Sequence, residues 1–158
     1  MRELISNGEH WKIRHKFVIQ RVSTVSKALI VDDSLMMREV FSSYLQNAGF
    51  SRIEKAVSVT EAETKLKNYQ PDLIILDVVM EGKSGFEFCQ QLKKNKQTCS
   101  IAVIICSTKT SPADLLLGEI IGADAYLAKT VDRAEFISKA RQLAGKPVNC
   151  KLLTWFVW

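Results

Sequence analysis

Three carboxylates, a hydroxyl and an amine carry the chemistry most readily seen in this chain: Asp32, Asp33, Asp77, Ser107 and Lys129. Each closes a short apolar run, in A-L-I-V-D-D at 28–33, L-I-I-L-D at 73–77, I-A-V-I-I-C-S at 101–107 and Y-L-A-K at 126–129. Taken singly, all but Asp77 have an ordinary structural explanation: Asp33 or Ser34 caps a helix, Ser107 sits in a turn, Lys129 is a surface amine. Gathered at one edge they mean more, because three carboxylates repel one another and are costly to desolvate unless a cation neutralises them. With no His or Cys beside them, the oxygen-only set favours a hard ion. A site this sparse suits Mg²⁺, which keeps several waters and often shares a phosphate oxygen.

Gathering these residues requires the apolar runs to lie side by side, and the surrounding pattern supplies that arrangement. From Ala28 onward, short apolar runs alternate with longer amphipathic ones, as in repeated βα units. The strand candidates are 27–32, 52–57, 72–77, 101–107 and 125–129, and the runs 28–31, 73–76 and 101–105 are continuously apolar, as strands covered on both faces are. Met37, Val40, Phe41, Tyr44 and Ala48 share one helical face before Gly49 ends the segment. Thr60 with Glu63 and Ser84 with Glu87 have capping-box spacing, Ser111-Pro112 places a cap before proline, and Asp132 with Glu135 opens a last helix toward Leu143. Five parallel strands with right-handed helical crossovers make a doubly wound α/β three-layer sandwich, in which ligands bind at the carboxyl ends of the strands. All five polar residues fall at that edge.

The chain has 158 residues, 47% apolar and 25% charged, enough for one domain with short appendages. No run approaches the roughly 18 consecutive apolar residues of a membrane span, and the charged N-terminus does not read as a secretory signal, so the expected compartment is the cytoplasm. The net charge of +5 is uneven: residues 1–27 hold six Lys or Arg against two Glu, leaving 16 basic and 15 acidic side chains in the rest. The basic character therefore belongs to an arm, 1–26, ahead of a body at 27–145 and an apolar tail at 146–158. Within the arm, Trp11, Ile13, Phe17 and Ile19 alternate with Lys12, Arg14 and Lys16, which suits a loosely added edge strand, or a docking arm for an acidic partner. Nucleic acid is not an expected partner. Cys89, Cys99, Cys106 and Cys150 form no C-x-x-C pair, so neither a disulfide framework nor a zinc site is expected.

Taken in order, one per strand, L-I-V-D-D-S at 29–34, D-L-I-I-L-D-V-V-M at 72–80 with Gly85 following, I-I-C-S at 104–107 and Y-L-A-K at 126–129 resemble the response-regulator receiver family of two-component signalling. The resemblance covers residues 27 to about 145. It implies the flavodoxin-like (CheY-like) sheet with strand order 2-1-3-4-5 and five helices. It also implies that Asp77 is the phosphoryl acceptor, and that Asp32, Asp33, Asp77 and the backbone carbonyl of Val79 hold Mg²⁺. Lys129 and Ser107 would meet the phosphoryl oxygens, and Tyr126 would be the aromatic that changes rotamer when Ser107 moves. The implied partners are a histidine kinase or histidine phosphotransfer protein and a downstream target on the face of helix 4, strand 5 and helix 5, with a second copy of the chain also admitted.

The chain departs from the family pattern in places: Glu81 stands where proline usually follows Met80, Thr130 where proline usually follows Lys129, and Thr108 where a small residue usually follows Ser107. Without proline a cis Lys129–Thr130 peptide would cost roughly 2.5–4 kcal/mol, and the sequence leaves the choice of isomer open. After Gly145 only 13 residues remain, so the expectation is a stand-alone, non-enzymatic receiver. Two alternatives stay open. One is a pseudo-receiver scaffold that works without phosphorylation. The other, weaker, is an aspartate-nucleophile phosphatase of the haloacid dehalogenase type, which needs an acid where this chain has Val79.

Overall fold

The computed structural model describes residues 26–144. Five strands alternate with five helices: β1 (Ser26–Val31), α1 (Leu35–Ala48), β2 (Phe50–Ala56), α2 (Val59–Leu66), β3 (Leu73–Leu76), α3 (Gly85–Lys94), β4 (Ala102–Ser107), α4 (Pro112–Ile120), β5 (Ala125–Ala128) and α5 (Arg133–Ala144). The strands are all parallel in the order β2-β1-β3-β4-β5, as the family resemblance implied. The arm and the tail inferred from sequence fall almost wholly outside the described residues.

The continuously apolar runs sit where two-sided burial requires them. Leu73–Leu76 and Ala102–Ser107 are buried at every position, in β3 and β4, two of the three central strands of the sheet. Because side chains alternate across a strand, each run feeds two cores. Leu29, Val31, Ile74, Leu76, Val103 and Ile105 face α2 and α3, while Ala28, Ile30, Leu73, Ile75, Ile104 and Cys106 face α1 and α5. The second core holds a stacked pair, Phe41 of α1 and Phe136 of α5, with ring centroids 5.2 Å apart.

Helix starts follow the cap signals in part. Ser34 accepts from the Met37 N–H, Ser111 and Asp114 form a reciprocal capping box, and Asp132 accepts from the N–H groups of Ala134 and Glu135. Two starts differ from expectation. Helix α2 is capped by Ser58, not Thr60: Ser58 accepts from the Glu61 N–H, and Glu61 accepts from the Val57 N–H. Ser84 precedes α3 but makes no side-chain cap bond. Cys89 and Cys106 are free and buried, and Cys99 is disulfide-bonded. Counting C-x-x-C pairs gave no sign of this bond. No peptide bond among the described residues is cis, so Lys129–Thr130 is trans. No helix there is long and apolar enough to cross a membrane.

Candidate functional site

Strand register brings the polar residues together. Val31 pairs with Leu76, and Leu76 with Ile105, so the chain leaves β1, β3 and β4 at nearly one level. Asp77 extends the ladder by donating its N–H to the Val31 carbonyl at 2.9 Å, and Lys129 does the same to the Ser107 carbonyl at 3.0 Å. Asp32, Asp77 and Ser107 are thereby buried at the strand ends, while Asp33 is exposed. Asp33 does not cap α1; that role falls to Ser34.

One ammonium serves two carboxylates. Lys129 Nζ donates to Asp77 Oδ2 at 2.7 Å and lies 2.9 Å from Asp32 Oδ2. Burial alone would lower the Lys129 pKa, but the hydrogen bond to Asp77 and the negative charge of Asp77 and Asp32 outweigh it, and the ammonium is held above its ordinary value. Asp77 is pushed the other way for a carboxylate: burial raises its pKa, and Lys129 and the Val79 N–H, which donates to Asp77 Oδ1 at 2.9 Å, offset this only in part. A carboxyl whose folded pKa is raised binds protons more tightly in the native state, so its contribution to stability falls as pH rises. With metal chelated, the stability advantage of Asp77→Asn over wild type is therefore expected to widen as pH climbs from 3.8 through the folded Asp77 pKa. Urea midpoints of the two proteins across that window check this, and a pH-independent difference would contradict it.

The same residues suit a hard cation. One carboxylate oxygen from each of Asp32, Asp33 and Asp77 lies within 4.8 Å of the others. Asp32 Oδ2 is buried and, despite its proximity to Lys129, receives no hydrogen bond of acceptable geometry. An orphaned buried carboxylate oxygen in an all-oxygen set is what a cation such as Mg²⁺ would satisfy. Asp33, Val78, Val79, Met80, Glu81 and Lys109 line an open cleft at this edge, so Glu81 adds a second carboxylate, beside Asp33, to its wall.

Two supporting residues, Arg38 and Lys109, were not picked out from sequence, whereas Gly85 was. Arg38 of α1 is buried and donates to the Asp32 backbone carbonyl at 2.7 Å, fixing the turn that presents the acid pair. The Lys109 N–H donates to Ser107 Oγ at 3.1 Å, and the Lys109 carbonyl accepts from the Tyr126 hydroxyl at 2.6 Å. Gly85 lets the start of α3 lie against the Asp77 backbone: a Cβ there would collide with the Asp77 carbonyl oxygen and fall 2.7 Å from Val78 Cα. Backbone cannot swing aside as a side chain can. Gly85→Ala is expected to cost about 2 kcal/mol or more by overpacking, and to weaken the thermal shift produced by Mg²⁺. Melting with and without Mg²⁺ checks both, and a variant matching wild type in each would refute the role.

A family model, the response regulator receiver domain, matches residues 28–141. The chain belongs to this family. Among curated relatives, it is 30% identical over 118 residues to the response regulator Rre1 of Synechocystis, covering 75% of this chain and 51% of Rre1. It is 34% identical over 108 residues to the protein PilH of Pseudomonas aeruginosa, covering 68% of this chain and 88% of PilH. Against Rre1 and the first transcriptional regulators matched, the chain spans about half the relative's length, 51% in the case of ycf29 of Cyanophora paradoxa. Among solved structures, the Vibrio cholerae chemotaxis response regulator CheY4 superposes with a TM-score of 0.69 at 32% identity, covering 76% of this chain and 99% of CheY4.

Proposed function

We propose that this receiver takes a phosphoryl group on Asp77 from a phosphohistidine and signals by changing a protein-interaction surface. The observation that carries this is the convergence of Asp32, Asp33, Asp77, Ser107 and Lys129 at one sheet edge, with Asp77 and Asp32 sharing the Lys129 ammonium. In the transfer, an Asp77 carboxylate oxygen attacks phosphorus, a P–O bond forms, the P–N bond to imidazole breaks, and the departing nitrogen takes up a proton. Lys129 stays charged through neutral pH and is placed to pair with a phosphoryl oxygen. Held by Asp32, Asp33, Asp77 and the Val79 carbonyl, Mg²⁺ would neutralise charge on the transferring group. The rest is positioning, which Arg38, Gly85 and the Val79 N–H provide. A protein donor is supported by apolar side chains at this edge: Leu35, Met36, Val57 and Val79 are all exposed.

The signal would pass from Ser107 to Tyr126 and the α4, β5, α5 face. The Tyr126 ring lies over Gly118 of α4, where a Cβ would fall 2.6 Å from ring carbon Cδ2. Gly118→Ala gains roughly 1 kcal/mol of helix propensity, yet is expected to displace the ring, break the Tyr126–Lys109 hydrogen bond and yield no net stabilisation. Chemical shifts of the Tyr126 ring and a melting curve check this; an unmoved ring in a more stable protein would contradict it.

The likeness to the chemotaxis response regulator CheY4, 99% of which the chain spans, supports a receiver that acts in signalling. The complete residue set favours a phosphorylated switch over a pseudo-receiver, and the exposed, uncharged side chain of Val79 disfavours the phosphatase. Intact-mass measurement after incubation with acetyl phosphate, with Mg²⁺ or with chelator, tests the proposal. One phosphoryl adduct that requires Mg²⁺ is expected. No adduct from acetyl phosphate or from a phosphohistidine protein would overturn it.

A further inference from the structure

Helix α4 is the one described helix whose apolar side chains point mainly to solvent. Leu115 is 43% exposed, Leu116 56%, Leu117 40% and Ile120 61%, and within the helix only Gly118 is buried. Isolated exposed leucines need no explanation, but these four fall on barely two turns: Leu116 and Ile120 are four residues apart, Leu117 and Ile120 three. The result is a contiguous apolar patch, of the kind that marks an interaction surface. Its only charged residues are acidic, Asp114 and Glu119.

We propose that this face is the docking surface for the chain's own segment 152–158, Leu-Leu-Thr-Trp-Phe-Val-Trp. The proposal does not depend on the phosphoryl chemistry. Three observations single out this occupant. The segment is apolar apart from Thr154, with two tryptophans and a phenylalanine to bury, and so matches the patch in character. Its charge is complementary: residues 145–158 contain Lys146 and Lys151 and no acid, opposite Asp114 and Glu119. It also reaches. Helix α5 ends at Ala144 and α4 at Ile120, and both helices run back toward the sheet edge where the strands begin, on opposite sides of β5. Crossing from one outer layer to the other spans about 20 Å at roughly 10 Å per layer, and the seven residues 145–151 extend to about 24 Å. Covering α4 in this way would place the segment in competition with any target that binds there.

Tryptophan quenching tests this in the full chain. With Trp11→Phe, only Trp155 and Trp158 remain of the three tryptophans. Docking predicts that both are shielded from acrylamide, independently of protein concentration, and that Leu116→Glu with Ile120→Glu raises quenching several-fold while the far-UV circular dichroism spectrum stays that of the wild type, since neither side chain is buried in the receiver's own core. Trp155→Ala should in turn increase binding of an apolar dye, an increase that the α4 substitutions abolish. Quenching as strong as in the unfolded chain, or shielding indifferent to the α4 substitutions, would overturn the proposal. Shielding that disappears on dilution as a dimer dissociates would overturn it too, assigning the face to a second copy.

Discussion

Lys129→Met is expected to destabilise the metal-free protein at neutral pH by about 3 kcal/mol, the scale for removing one member of a buried ion pair. The lysine side chain is 15% exposed and its two carboxylate partners are 2% and 1% exposed. Methionine keeps most of the apolar stem and removes only the charge. What remains is a cluster of carboxylates with no cation, two of them out of reach of water. Because Mg²⁺ binding supplies a replacement counter-charge, it should stabilise the variant more than the wild type, closing part of the gap. Urea unfolding in chelator and in Mg²⁺ reads both effects. Equal midpoints for variant and wild type in chelator would mean that the Lys129 bridge contributes nothing net. A raised folded pKa for Lys129 carries its own sign: its stabilisation is complete below 10.5 and is lost as pH rises through the folded value, so the wild-type advantage should shrink in alkali.

Asp77→Asn is expected to abolish phosphoryl uptake entirely and to raise stability in chelator at neutral pH. The two effects share one cause. Burial opposes the Asp77 charge, and the fold accommodates it only through Lys129 and the Val79 N–H. The amide keeps the shape and an acceptor oxygen while removing the charge and the nucleophile, so a cost to the resting fold disappears together with the chemistry. Uptake by mass and a denaturant melt on the same preparation check the pair. Loss of uptake in a variant less stable than wild type would point to structural damage rather than a missing acceptor.

Sequence showed the strand order through the family resemblance and the strands themselves through burial. Runs such as L-I-I-L are continuously apolar because both faces of the middle strands are covered, and the polar residues closing each run had to emerge at one edge. What it hid depends on tertiary approach. Arg38 reads as an ordinary surface cation until α1 packs it against the Asp32 carbonyl. Gly118 reads as a weak point in a helix until the Tyr126 ring occupies the missing side chain's place. Ser58-x-x-Glu61 and Thr60-x-x-Glu63 have the same capping spacing, and only the end of β2 at Ala56 decides between them. The exposed apolar surface of α4 was equally hidden, since its leucines alone suggest a core-facing helix.

The central claim is that Asp77 itself becomes the acyl phosphate. Borohydride reduction after incubation with Mg²⁺ and acetyl phosphate tests it most directly, because hydride converts an aspartyl phosphate to homoserine and leaves free carboxylates untouched. Peptide mass mapping should find homoserine at position 77 alone, and none when Mg²⁺ is chelated. Homoserine at Asp32 or Asp33, or a phosphoryl adduct that resists borohydride and maps to Ser107, would contradict it.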